Sequence, residues 1–227
     1  SKLWYHEFDS SKSLTLRNRL INSALNSDFL PITYNDDRIW NYLAEREKWG
    51  YSEEHVFRKL LGQNPSPVAR DYVWQRGEKL AIGHDPSRSA TLAWMMTRTL
   101  SSERAIPLLE IACTKIQDKD ELQRAKFTLF EAFLDTKKWQ AAEKMWTDVR
   151  ERLTPNEQPS WMARIALCAA KAGAKQDALR LWKAKDQIDP GNLGLLDELA
   201  KAGLKPELVR YYEEMKRNNK ISSVPEA

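Results

Sequence analysis

Apolar residues between positions 87 and 217 recur every three or four places, in short runs broken by polar, glycine or proline positions. That period is the signature of helices with one buried face. It predicts helices in pairs: 88–100 with 103–116, 121–135 with 139–153, 160–172 with 175–188, and a shorter pair at 193–202 and 206–217. Upstream the pattern is less regular. Leu3, Trp4, Tyr5 and Phe8 follow no helical period and predict an irregular or extended segment at 1–9. Leu14, Leu16, Leu20, Ile21, Ala24 and Leu25 predict a helix that Pro31 ends. Ile39, Trp40, Leu43 and Trp49 predict a second, closed at Gly50, and Val56, Leu60 and Leu61 a third, closed at Gly62. After the punctuation Asn64-Pro65-Ser66-Pro67, a fourth helix spans about 68–82 and stops at Gly83-His84-Asp85-Pro86.

The paired segments repeat. In the second helix of the first pair, Ala105, Leu109 and Ala112 are spaced by four and three. Ala142, Trp146 and Val149 repeat that spacing, and Ala178, Trp182 and Lys185 repeat it again. Ala105 to Ala142 is 37 positions and Ala142 to Ala178 is 36. A two-helix unit at that period predicts a helical solenoid. A lone hairpin has two apolar faces and cannot cover both. Small residues let helices approach closely, and a large one a turn later fills the groove of the next hairpin. The first helices carry a matching pattern: Leu92-Ala93 with Met96, Leu129-Phe130 with Phe133, and Ile165-Ala166 with Ala169.

On these residues the sequence resembles the tetratricopeptide repeat family. Its units pair a large and a small residue in the first helix with Ala, an aromatic, Ala and a closing Pro in the second. Met162 to Pro190 matches best, through Ile165, Ala166, Gly173, Ala178, Trp182 and the ending Asp189-Pro190-Gly191-Asn192. In the preceding unit Trp146 and Pro155 fit, while Phe130 stands at the small-residue position. The Ala105 unit lacks the terminal Pro, and the fourth unit is truncated and reads as a cap. The resemblance covers residues 87–218. It implies an all-α fold, a right-handed α-solenoid of stacked antiparallel helix hairpins. It also implies three parts: an N-terminal helical region at 1–86 (degenerate hairpins or a cap), the repeats at 87–218, and a tail at 219–227. Two fainter similarities exist. The stretch from Leu204 to Lys216 resembles pentatricopeptide RNA binders, and the nine tryptophans resemble half-a-tetratricopeptide scaffolds of RNA processing.

Composition narrows the function classes. The 227 residues carry 36 Lys plus Arg against 32 Asp plus Glu, a net charge of +4, which is too weakly basic for a dedicated nucleic-acid binder. With 42% hydrophobic and 30% charged residues the chain is neither disordered nor a membrane bundle. No run of about 18 apolar residues is present. Residue 1 is Ser, not Met, so the expectation is an excised region whose compartment stays open: cytoplasmic, or periplasmic if an N-terminal anchor was removed. Cys113 and Cys168 lie in apolar stretches and predict buried thiols.

Motifs for chemistry are missing. His6, His55 and His84 form no HxxxH or HExxH pair, and no phosphate-binding glycine loop, GxSxG elbow or CxxC pair occurs. Asp36-Asp37 and Glu53-Glu54 suit helix N-termini, while Lys137-Lys138 and Lys216-Arg217 suit C-termini. The expectation is a non-enzyme with no catalytic residue, no cofactor and no metal.

In the resembled family the first helix of each unit lines the concave side and takes a peptide. Alignment on Ala105, Ala142 and Ala178 assigns Ala90, Trp94, Thr97 and Arg98 to that side in the first unit. It assigns Arg124, Phe127, Glu131 and Leu134 in the second, and Ser160, Ala163, Arg164 and Leu167 in the third. The expected partner-binding set is Trp94, Thr97, Arg98, Arg124, Phe127, Glu131, Arg164 and Leu167, with the three arginines on one face. For Trp94 and Phe127, packing against a neighbouring helix is the competing role. Ala90 and Trp94 stand where the chaperone-binding subset grips a carboxylate, so that mode is not expected. The resemblance implies a protein-protein scaffold with a protein or peptide partner. Neither a small-molecule substrate nor nucleic acid is expected, and a membrane only through a segment absent from this chain. The alternatives are an accessory domain of a membrane or envelope assembly, handling polysaccharide or secretion, and an RNA-binding repeat.

Overall fold

The computed structural model describes residues 86–99, 101–218, 220, 221 and 225, with Leu16, Arg19, Leu20, Pro67, Asp71, Trp74, Gln75 and Glu78. The expected irregular start and the helices around Trp40 and Leu60 lie outside the described residues. Leu16, Arg19 and Leu20 are helical, as are Pro67, Asp71, Trp74, Gln75 and Glu78. Among the described residues there are helices and turns but no strand.

Among the described residues from Pro86 onward the α-helices are, in chain order, α1 (Pro86–Thr99), α2 (Ser102–Lys115), α3 (Lys119–Asp135), α4 (Trp139–Val149), α5 (Gln158–Lys171), α6 (Lys175–Ile188), α7 (Leu196–Leu199) and α8 (Lys205–Arg217). Local chemistry sets their ends. Ser101 caps α2 by accepting from the Arg104 N–H at 3.4 Å, and Asp118 caps α3 by accepting from the Glu121 N–H at 2.8 Å. That cap starts α3 two residues before its first periodic apolar residues suggest. The helix expected to reach residue 153 ends at Val149 and tightens into a 3-10 turn, Arg150–Arg152. The helix expected at 193–202 is one turn of α7 and a wider turn over Ala200–Leu204. Leu195, left-handed at φ 69, precedes α7, and Gly203, left-handed at φ 89, lies inside the wider turn.

The chain divides into two compact units, 1–116 and 117–227. In the first unit α1 packs on α2, burying Leu92, Ala93 and Met96 with Ala105, Ile106, Leu109 and Ala112. The Arg104 guanidinium lies 3.4 Å from the Asp71 carboxylate and 5.4 Å from the Trp74 ring centroid.

In the second unit α3 packs on α4 and α5 on α6, and α5 also meets α3, α4 and α7. The spaced landmarks are the buried ones. Ala142 and Ala178 are fully buried, Trp146 and Trp182 are buried one turn later, and Val149 and Lys185 are fully buried after them. Ile165 and Ala166 are fully buried on α5, and burying a side chain of isoleucine size contributes roughly 1.5–3 kcal/mol. Phe130, at the small-residue position of its unit, is also fully buried. Its ring sits 6.2 Å from Trp146 and 5.7 Å from Trp161.

The turns after α3 and α5 have the same form, 36 residues apart. Lys137 N–H donates to Leu134 O at 3.2 Å and Lys138 N–H to Phe133 O at 2.8 Å. Gly173 N–H donates to Ala170 O and Ala174 N–H to Ala169 O, both at 2.9 Å. This two-bond helix stop needs a left-handed residue, usually glycine. Gly173 supplies it at φ 83, whereas Lys137 adopts φ 59. A left-handed L-residue costs roughly 1–2 kcal/mol.

Candidate functional site

An open hollow of about 710 Å³ lies over α5 in the second unit. Its floor is apolar: Leu134 from the end of α3, Leu167 and Cys168 from α5, and Leu195 from the loop before α7. Period dictates this, since Arg164, Leu167, Cys168 and Lys171 are three and four apart and so share a helix face. The rim is charged, with Lys137, Arg164 and Lys171 against Asp135 and Glu198. Lys171 and Glu198 pair across the rim at 3.4 Å. Arg164 places its guanidinium 4.2 Å from the Trp161 ring centroid, and neither it nor Lys137 has an acidic partner among the described residues. Ser160 stands at the edge and accepts from Asn192 Nδ2 at 3.2 Å.

The expected partner-binding residues are distributed as follows. Arg164 and Leu167 line this hollow, joined by Leu134 and Ser160 from the same alignment. Arg124 does not join them. It borders a separate hollow of about 280 Å³ with Lys119, Gln123 and Arg152, so Arg124 and Arg164 do not line the same hollow. Phe127 is half-buried and meets Trp161 edge-on at 5.0 Å, with Arg152 6.0 Å from its ring. Its surroundings are those of a packing aromatic. Glu131 is half-buried on α3. Trp94, Thr97 and Arg98 lie together on α1 in the other unit. Trp94 is 37% exposed, Arg98 covers its ring at 5.3 Å, and the Thr97 hydroxyl donates to Trp94 O at 2.7 Å.

Sequence reasoning did not find Lys137, Lys171 or Leu195. One signal for Lys137 was present: it occupies the place that Gly173 holds in the next unit.

A second cluster lies between α6 and α8. Lys185 is fully buried. Its ammonium donates to Asn192 O at 2.5 Å and Asp189 O at 3.4 Å, sits 4.1 Å from the Trp182 ring centroid, and contacts Asp186 Oδ1. The adjacent turn is built by its own side chains: Asp189 Oδ1 accepts from Gly191 N–H at 2.9 Å and Asn192 Oδ1 from Gly194 N–H at 3.2 Å. Asp186 is buried, and neither carboxylate oxygen has a well-aligned hydrogen bond. Burial therefore pushes its pKa up, while Lys185 and the nearby Tyr211 and Tyr212 hydroxyls pull it down. Burial, with Asp186 beside them, also raises both tyrosines, which stay protonated. The cluster ties α6, its following turn and α8 together.

Cys168 is buried against Leu134 O at 3.5 Å, and burial pushes its thiol up to about 11. Among the described residues no His, Cys, Asp and Glu cluster could hold a metal, and no helix is long and apolar enough to cross a membrane. Compared with known proteins, the chain matches no family model, no curated protein and no solved structure.

Proposed function

We propose that the helix pairs stack as antiparallel hairpins of a right-handed, tetratricopeptide-like solenoid, and that the chain is a non-enzymatic scaffold holding a linear segment of another protein over α5. The observation that carries this reading is the convergence of Leu134, Ser160, Arg164 and Leu167 on one open hollow. They come from the first helices of two successive units, at positions the family resemblance assigned to its ligand-facing side. The volume, about 710 Å³, falls in the range of ligand sites, and apolar floors with few polar rim groups are typical of them. An open, apolar floor built from α3, α5 and the loop before α7 suits the side chains of a protein segment.

The test is panning of short random peptides displayed on phage against the chain, with Ser160→Trp as the counter-screen. Ser160 is exposed at the rim, so the indole fills space without disturbing the core. Peptides that bind the parent chain and are lost on Ser160→Trp support the reading. Peptides indifferent to it, or no selected peptide, overturn it.

A further inference from the structure

The hollow over α5 has a bias that the peptide-binding reading alone does not explain. Its rim holds three cations, Lys137, Arg164 and Lys171, against two carboxylates, Asp135 and Glu198, and neither Lys137 nor Arg164 has an ion-pair partner among the described residues. The third rim cation, Lys171, is already paired with Glu198. Arg164 is also held in place, stacked 4.2 Å from the Trp161 ring, so its guanidinium loses little freedom when it meets a ligand.

Lys137 carries the stronger argument. It occupies the left-handed stop of the turn after α3, where the matching turn after α5 uses Gly173. Glycine fits such a position without strain, and lysine does not. Among the described residues the non-glycine positions with left-handed backbone are Lys137 and Leu195, and both line this hollow. Local strain collects where the side chain has a task beyond folding. Here one strained residue adds a cation to the rim and the other an apolar side chain to the floor.

Resting on the peptide-binding reading, we propose that the occupant is a protein segment that sets an aspartate or glutamate between Lys137 and Arg164 beside an apolar side chain on the Leu134–Leu167 floor. The strain at Lys137 is offset in function by the charge it brings to the ligand. The Lys171–Glu198 pair closes the remaining side and leaves one acidic subsite rather than a general anion surface.

The experiment extends the same peptide selection. Selected peptides are sequenced, and their affinities are measured by fluorescence anisotropy at low and high salt. The proteins are the parent chain, Lys137→Gly, Arg164→Gln and Ser160→Trp, with thermal melting recorded for each. The expected result is enrichment of acidic residues next to an apolar one, and binding about tenfold weaker in both charge variants with a flatter salt dependence. Lys137→Gly should melt no lower than the parent, which separates loss of binding from loss of fold. Peptides lost on Ser160→Trp but without acidic residues, or undiminished in Lys137→Gly and Arg164→Gln, overturn the acidic subsite and leave the peptide groove standing. Peptides indifferent to Ser160→Trp, or no selected peptide, overturn both.

Discussion

The indole Nε1 of Trp182 donates a 2.8 Å hydrogen bond to the hydroxyl of Tyr212, and both side chains are buried. The bond joins α6 to α8 across 30 residues of sequence. Trp182→Ala should destabilise the second unit by roughly 3–5 kcal/mol, because a fully buried large aromatic leaves a cavity the neighbours cannot fill. Tyr212→Phe keeps the ring but orphans a buried indole N–H, a loss of about 1–3 kcal/mol. Urea titration followed by tryptophan fluorescence checks both. A loss below about 1 kcal/mol for Trp182→Ala would show that α8 does not cover it.

The repeat spacing made much of this architecture readable beforehand. The helix expected at 175–188 is Lys175–Ile188, and the three landmark alanines are all fully buried. What spacing could not convey was compensation over distance. The landmark position of Lys185 predicts burial, yet a buried ammonium is tolerable only because the carbonyls of Asp189 and Asn192 fold back onto it. The candidate site was half readable for a similar reason. Arg164 and Leu167 share one helix face by period alone, while Lys137 and Leu195 arrive from turns. Phe127 has the helical spacing of a groove residue but meets Trp161, which the alignment did not single out.

The Lys185–Asp186 pair has a pH signature. The folded carboxyl of Asp186 holds its proton more tightly than the unfolded one, because burial outweighs the attraction of Lys185. Protonation therefore favours the folded chain. That contribution is fully present below the ordinary carboxylate value of about 3.9 and fades as pH rises through the raised folded value. The stability of the parent chain relative to Asp186→Asn should thus decline as pH rises from about 4. Denaturant titrations of both proteins across a pH series check this, and a gap that widens with pH would mean that the ion pair dominates. Lys185→Met should cost about 3–5 kcal/mol at neutral pH, since it strands a buried carboxylate.

Two equivalent turn positions should respond with opposite signs. At Gly173 an added Cβ meets nothing within 4 Å, so Gly173→Ala suffers only from the left-handed backbone at φ 83. A loss of about 1 kcal/mol is expected. Lys137→Gly relieves the same conformation and should be neutral or stabilising by up to about 1 kcal/mol. Thermal melting of the two variants beside the parent decides the matter. Equal losses at both positions would mean that Lys137 makes a stabilising contact that outweighs its strain.

The two cysteines should separate cleanly in a thiol-labelling experiment. Cys168 is buried and its thiol is raised to about 11, so at neutral pH almost none is present as the reactive thiolate. Cys113 is only half-buried on α2. With an aromatic disulfide reagent, Cys113 should react first, and Cys168 should become labelled only as denaturant opens the second unit. Simultaneous labelling of both in native buffer would show that the floor of the hollow opens to solvent at Cys168 without unfolding.

Trp94 provides the contrast with Trp182. It is 37% exposed on α1, and its covering neighbour is the Arg98 side chain at 5.3 Å. An exposed cation–π contact contributes about 0.5–1 kcal/mol, and truncating a part-exposed ring leaves no sealed cavity. Trp94→Ala should therefore change stability by less than about 1 kcal/mol, several-fold below Trp182→Ala. The same substitution removes the largest exposed side chain among the residues first assigned to partner binding. If Trp94 contacts the partner segment, peptide affinity falls while the unfolding midpoint stays. If the midpoint falls with it, the ring is a packing residue of the first unit, and the hollow over α5 carries recognition without it.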